Sequence, residues 1–267
     1  MVSSLSLLVK DKMLADCDVD APNMHILLKP EVLDKDDYYG AKEAVIDSSI
    51  CLECGMCRES CRFGAISETF NMIPMKCEGC GACVLVCPQE AIRLEDVKTG
   101  ETYLSNTQRG TFSYALLDIG AEGSGKLVTE VRKKITNHKK NEKWLLIDGS
   151  PGIGCVVIAS ITGADAVVVV TEPTKSGLSD LERVLGVTKH FEIPAFVCIN
   201  KYDLNNEISS QIERYCENNG FSVVGKIPFD PSIVKALQEF KTPVEAGNSH
   251  VTDEIISIWT KVTEKLN

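Results

Sequence analysis

The 267-residue sequence contains no apolar run of the roughly 18 residues that a membrane-spanning helix needs. Its first helix-like stretch, Ser3 to Lys10, is too short and too mixed for a secretory signal. A basic surplus is missing as well: 28 Lys and Arg stand against 38 Asp and Glu, a formal charge of −10. That balance excludes a general binder of nucleic acid or of anionic membrane surfaces. The one dense basic run, Arg132 to Lys143, reads as a solvated helix end, with a partner-docking patch as the alternative. Without a span or an export signal the chain is expected to be cytoplasmic. A hydrophobic fraction of 44% and a charged fraction of 25% are those of an ordinary globular protein, long enough for one large domain or a large and a small one.

Cysteine, by contrast, is plentiful. In a reducing compartment twelve cysteines point to metals or catalysis and away from disulfides. Eight of them fall in two runs, CLECGMCRESC from Cys51 to Cys61 and CEGCGACVLVC from Cys77 to Cys87, each reading C-x2-C-x2-C-x3-C. The second lies 26 positions after the first and carries Gly55 onto Gly81, Ala65 onto Ala91 and Ile66 onto Ile92, so this is an internal repeat. Three cysteines at steps of three set their sulfurs round one tight loop, while the fourth sits on the next turn and points the other way.

Residues 46 to 107 resemble the bacterial-type dicluster [4Fe-4S] ferredoxins, in which the fourth cysteine ligates the opposite cluster. That resemblance implies two [4Fe-4S] clusters, one on Cys51, Cys54, Cys57 and Cys87, the other on Cys77, Cys80, Cys83 and Cys61. Gly55 and Gly81 are expected to let the loops approach the clusters without a Cβ in the way. The competing reading is a pair of four-thiolate zinc sites, which normally use two separated C-x2-C knuckles. One departure is Arg62 after Cys61, where such runs often carry proline, as Cys87-Pro88 does. Of the scattered cysteines, Cys198 in PAFVCIN reads as core. Cys17 and Cys155 sit beside acidic motifs, and a reactive or ligand role stays open for them.

Outside the repeat, short apolar strands alternate with helical patterns. Strands are expected at Met13 to Cys17, Tyr114 to Ile119, Trp144 to Ile147, Ala166 to Thr171, Ala195 to Ile199 and Phe221 to Ile227. Helices are expected at Gly125 to His138, Ser176 to His190, Glu207 to Asn218, Pro231 to Phe240 and Thr252 to Leu266. Runs such as AVVVV, apolar at successive positions, suit parallel strands buried on both faces. The fold class is α/β: a doubly wound, mostly parallel sheet from 1–45 and 108–267, interrupted at 46–107 by a small α+β ferredoxin-type insertion.

In such sheets ligands bind beyond the carboxyl ends of the strands. The residues there are Asp16, Asp18 and Asn23 in LADCDVDAPN; Asp148 and Gly152 in WLLIDGSPGIG; Glu172; Asn200 and Asp203 in VCINKYD; and Pro228 and Asp230 in GKIPFDP. An aspartate at a strand end followed by Gly-Ser-Pro-Gly suits a magnesium-nucleotide site, the carboxylate holding hydrated metal and a glycine amide facing the γ-phosphate.

Together, in this order, these motifs resemble the deviant-Walker P-loop ATPases, and more closely the MinD-superfamily ATPases that carry an inserted ferredoxin module. The likeness runs from about Val2 onward. It implies ATP or ADP with magnesium, with Asp18 orienting the attacking water and Asp148 near the metal. It also places Gly152 in the second switch, and Asn200 with the Pro228 to Asp230 loop against adenine. It further suggests a homodimer.

What that family places before the first helix is missing: a strand and a phosphate loop of the form K-G-G-x-G-K-[ST]. The run Gly123 to Lys126 lacks the spacer that curls amides round a phosphate, and it reads as a helix start. A central strand of four or so aliphatic residues is worth roughly 6 to 12 kcal/mol, comparable to a typical total stability. The expectation is therefore a natural chain longer at its N-terminus. The alternative is a truncated protein whose sheet has rearranged or is capped by a partner. ATP hydrolysis is expected to be absent or very weak.

The leading expectation for function is one-electron transfer through two clusters to a redox partner protein, gated by a nucleotide-switch domain. The alternatives are an iron-sulfur cluster carrier or scaffold, and a plain ferredoxin-type carrier with a non-hydrolysing docking domain.

Overall fold

The computed structural model describes residues 1–73, 75–247 and 249–266. In chain order the elements are α1 (Val2–Leu8), β1 (Lys12–Cys17), α2 (Met24–Leu28), β2 (Glu31–Ile46), α3 (Met56–Ser60), α4 (Ala82–Val86), β3 (Ile92–Thr107), β4 (Gly110–Leu117) and α5 (Gly125–Asn137). They continue with β5 (Trp144–Gly149), α6 (Cys155–Ile161), β6 (Val167–Thr171), α7 (Lys175–His190), β7 (Ala195–Asn200), α8 (Asn206–Asn219), β8 (Ser222–Ile227), α9 (Pro231–Gln238) and α10 (Ser249–Leu266). Among the described residues, no helix is long and apolar enough to cross a membrane.

The chain forms two compact units, one of 1–35, 102–116 and 122–267, the other of 36–101 and 117–121. The second unit takes in, besides the cysteine repeat, residues 36–46 of β2 and 92–101 of β3.

In the first unit β1 is the inner strand, buried from Met13 to Cys17 and parallel to both β4 and β5. Burial on both faces is why it reads as an uninterrupted apolar run. The hydrogen-bonded order is β2-β3-β4-β1-β5, and a separate parallel sheet has the order β6-β7-β8. Helix α5 starts at Ser124, whose side chain accepts the Leu127 amide, so the GSGK run is a capped helix start. The helix buries Leu127, Val128, Val131 and Ile135, one apolar stripe at helical spacing.

The sheet is broken between β5 and β6, which α6 connects; among the described residues neither strand has a ladder partner on its far side. One apolar core nevertheless holds Leu146 of β5 with Phe196 and Cys198 of β7, against Leu5, Ile255 and Ile258. The start of α1 is near the break, since the Met1 ammonium acts on both Asp148 at the end of β5 and Cys198 in β7.

Candidate functional sites: two cysteine-lined cavities and a row of strand ends

In the second unit each half of the repeat builds the same short motif. Gly55 and Gly81 cap α3 and α4 at φ +82° and +75°, the left-handed region that glycine enters without strain. A Cβ at Gly55 would meet no atom within 4 Å, and one at Gly81 only Leu94 at 3.6 Å. Backbone conformation alone already favours glycine at both positions.

This unit holds two cavities of about 330 Å³ each, counting their openings to solvent. The first is lined by Cys51, Cys54, Cys57 and Cys87 with Phe70 and Ile92. The second is lined by Cys61, Cys77, Cys80 and Cys83 with Phe63 and Met72. Each cavity therefore draws three cysteines from one run and one from the other. Backbone amides point at sulfurs of both cavities: Ala44 donates to Cys77 Sγ at 3.4 Å, Glu53 to Cys51 Sγ at 3.4 Å, Ala65 to Cys61 Sγ at 3.4 Å and Ala91 to Cys87 Sγ at 3.3 Å. Ala65 and Ala91 are equivalent positions of the repeat. Among the described residues no three His, Cys, Asp or Glu side chains converge on a single-ion position. A zinc ion holds its sulfurs about 2.3 Å away, whereas these sulfurs surround a volume, which fits a larger thiolate-bound group.

In the first unit Asp16 and Asp148 are partners in the parallel register of β1 and β5. Asp16 is buried and organises the loop that follows it. Its Oδ1 accepts the Asp18 amide at 3.2 Å, and its Oδ2 accepts the amides of Asn23 at 3.2 Å and Met24 at 3.1 Å. Burial pushes its carboxyl up to about 7, and the Asp148 charge adds to this against the lowering effect of those amides. Burial also raises Asp148, with the N-terminal ammonium opposing and Asp18 reinforcing the shift. Asp16, Asp18 and Asp148 thus form one acidic corner.

Asn23 contributes its backbone amide there, while its side chain makes no capping bond to α2. Gly152 lies in the exposed loop after β5 at φ +95°. Asp20 Oδ1 accepts the Gly123 amide at 2.7 Å, tying this loop to the start of α5. The organising role of Asp16 was not legible in the sequence, where Asp16 and Asp18 are alike two strand-end aspartates. Cys17 is buried and its thiol is pushed up to about 12 by burial, which makes it a protonated core group; Cys155 is exposed.

The second group of predicted residues stands at the ends of β7 and β8. Asn200 ends β7 opposite Ile227, and Pro228 follows directly. Asp230 is the N-cap of α9, its Oδ1 accepting the Ser232 amide at 2.8 Å, so its carboxylate serves the helix start.

Together the fold and these sites define an α/β domain of nucleotide-binding type joined to a small cysteine-rich module. The chain belongs to the CobQ/CobB/MinD/ParA nucleotide binding domain family, whose model matches residues 1–244. An uncharacterized protein of Methanocaldococcus jannaschii is 33% identical over 255 residues, covering 93% of this chain and 84% of that protein. A ferredoxin of Pyrobaculum islandicum is 36% identical over 64 residues, 22% of this chain and 60% of that one. Among solved structures, the cell division ATPase MinD of Pyrococcus furiosus superposes with a TM-score of 0.55 at 16% identity, covering 100% of this chain and 90% of that chain. At that identity the likeness concerns the fold alone.

Proposed function

We propose that the protein is an electron carrier holding two [4Fe-4S] clusters, attached to a nucleotide-switch domain that governs its docking to a redox partner protein. The observation that carries this reading is the pair of cavities, each lined by four cysteines drawn from both halves of the repeat. Bound there, such clusters would supply one-electron chemistry. The chain's own part is to hold them and set their potential. Cys51, Cys54, Cys57 and Cys87 would hold one, and Cys61, Cys77, Cys80 and Cys83 the other. The backbone amides aimed at sulfur favour added negative charge on a reduced site. Phe63, Phe70, Met72 and Ile92 line the walls and limit water.

In the switch domain Asp148 is assigned to a hydrated magnesium and Asp18 to orienting water, with Asn23 and Gly152 in the two switch loops. The backbone bonds to Asp16 make the first of these loops a unit that two states can share. Hydrolysis by these 267 residues is proposed to be absent or very weak, because they supply the strand-end carboxylates Asp18 and Asp148 but no run of the form K-G-G-x-G-K-[ST]. A homodimer closed over nucleotide is part of the same reading.

The test is oxygen-free purification followed by iron and sulfide analysis and paramagnetic resonance of the reduced protein, with and without nucleotide. About eight irons per chain and two interacting signals are expected. Colourless, zinc-loaded material would overturn the electron-transfer reading.

A further inference from the structure

The two cavities are built from equivalent loops of the repeat, 51–57 with 87–92 at the first and 77–83 with 61–66 at the second. Their sulfurs correspond, and their rims do not. At the first cavity Leu52 and Met56 belong to the lining and are still 64% and 47% exposed; Ile50, just before Cys51, is exposed as well. The positions equivalent to Ile50, Leu52 and Met56 carry Lys76, Glu78 and Ala82 at the second cavity. The same backbone thus accepts charged or small residues there, so the fold does not require apolar ones at the first. Among residues lining the second cavity, only Phe63 is large, apolar and exposed. Exposed apolar side chains grouped as at the first cavity mark a surface that another protein covers.

The rims also differ in charge. Each half has two left-handed backbone positions: Glu53 (φ +52°) and Glu90 (φ +51°) at the first cavity, and their equivalents Gly79 and Gly64 (both φ +59°) at the second. Glycine takes this conformation freely and glutamate does not. Both glutamates are exposed, and neither carboxylate has an ion pair or hydrogen bond among the described residues. The second rim carries Arg62 and Lys76 against Glu78, all exposed. A negative rim therefore surrounds the apolar lip of the first cavity, and the second has a small positive surplus.

We propose that the first cavity is the electron port, and that its rim docks a partner protein whose own apolar contact is ringed by lysine or arginine. Leu52 and Met56 meet the apolar centre, and Glu53 and Glu90 meet the cationic ring. This rests on the iron-sulfur reading above and adds to it which cavity faces the partner and what charge the partner carries. In the step itself one electron leaves the reduced group held by Cys51, Cys54, Cys57 and Cys87 and enters the partner's redox centre; no bond breaks and no proton moves.

The test uses the oxygen-free full chain with two small c-type cytochromes as probes, one basic and one acidic. Binding of the ferrous cytochromes to the oxidised chain, where no electron passes, is measured by calorimetry at low and high salt. Iron content verifies that each variant keeps its clusters. The basic cytochrome should bind and the acidic one should not. Glu53→Gln and Glu90→Gln should each weaken that binding about 3-fold at low salt, the worth of one exposed charge pair, and far less at high salt. Leu52→Ala should weaken it about 5-fold at either salt. Glu78→Gln, which removes the same charge from the second cavity, should leave it unchanged. The rate at which the reduced chain reduces the ferric basic cytochrome should follow the same order. Failure of the basic cytochrome to bind, acidic cytochrome binding as well or better, or a Glu78→Gln effect as large as that of Glu53→Gln overturns the port and leaves the two-cluster reading standing. A chain that purifies without iron and sulfide removes that reading and the port with it.

Discussion

Asp16 and Asp148 face each other across the parallel ladder of β1 and β5, and only Asp16 reaches back to hold three amides of the loop ahead of it. Its carboxyl is held at about 7 in the folded chain against 3.8 without burial. The folded state therefore binds this proton more tightly than the unfolded state does. Stability falls as pH rises from about 4 to about 7 and levels off above, by on the order of 4 kcal/mol from this group. Asp148, raised in the same direction, adds to the slope. Urea unfolding at pH 5, 6, 7 and 8 should show a shallower slope for Asp16→Asn than for wild type. An unchanged slope would dismiss Asp16 as the titrating group.

The crossed arrangement of cysteines makes a prediction about pairs. Cys51→Ala with Cys87→Ala removes two sulfurs from one cavity and should leave about four irons and one cluster signal. Cys51→Ala with Cys61→Ala wounds both cavities and should leave neither cluster intact. Iron analysis giving the reverse pattern would show that each run serves its own cluster.

Gly79 lies between Cys77 and Cys80 at φ +59°, and a Cβ there would come within 2.4 Å of the Lys42 carbonyl oxygen. The backbone of one loop or of β2 must move, at a cost above about 2 kcal/mol. Gly79→Ala should lose the cluster of the second cavity while keeping the first. Gly55→Ala meets no protein atom within 4 Å and should cost the polypeptide only the left-handed strain, about 1 kcal/mol. Equal iron contents in the two variants would contradict this.

Arg109 anchors α1 from the turn between β3 and β4. Its guanidinium donates to the Ser3 carbonyl at 3.2 Å and to Ser6 Oγ at 3.4 Å, and it pairs with Glu245 while only 10% of its side chain is exposed. Truncation removes the buried guanidinium and its three bonds at once, so Arg109→Ala should cost about 2 to 3 kcal/mol in denaturant unfolding. The Arg109→Ala, Glu245→Gln double variant should cost less than the sum of the two single changes. Full additivity would mean the pair contributes nothing.

Strands buried on both faces announce themselves in sequence, because every position is apolar; Met13 to Cys17 and Ala195 to Ile199 were legible to within a residue of β1 and β7. Strand β2 was not, since its residues are mostly exposed and polar, and neither was the seven-residue α6, too short to show a period. The expected strand Tyr114 to Ile119 ends at Leu117 in the structure. Ile119, fully exposed, is an apolar residue the sheet does not claim.

The sequence by itself determined the cysteine repeat, the alternation of strands and helices, and the identity of the residues at the strand ends, because these depend on spacing and local pattern. Only the tertiary structure decided that Asp16 anchors its loop, that the sheet divides between β5 and β6, and that Asp203 and Lys201 bind neighbouring loops, through the Phe229 amide and Glu172. Those outcomes arise from contacts between segments far apart in the chain, where burial and pairing geometry, and no local propensity, select the partner.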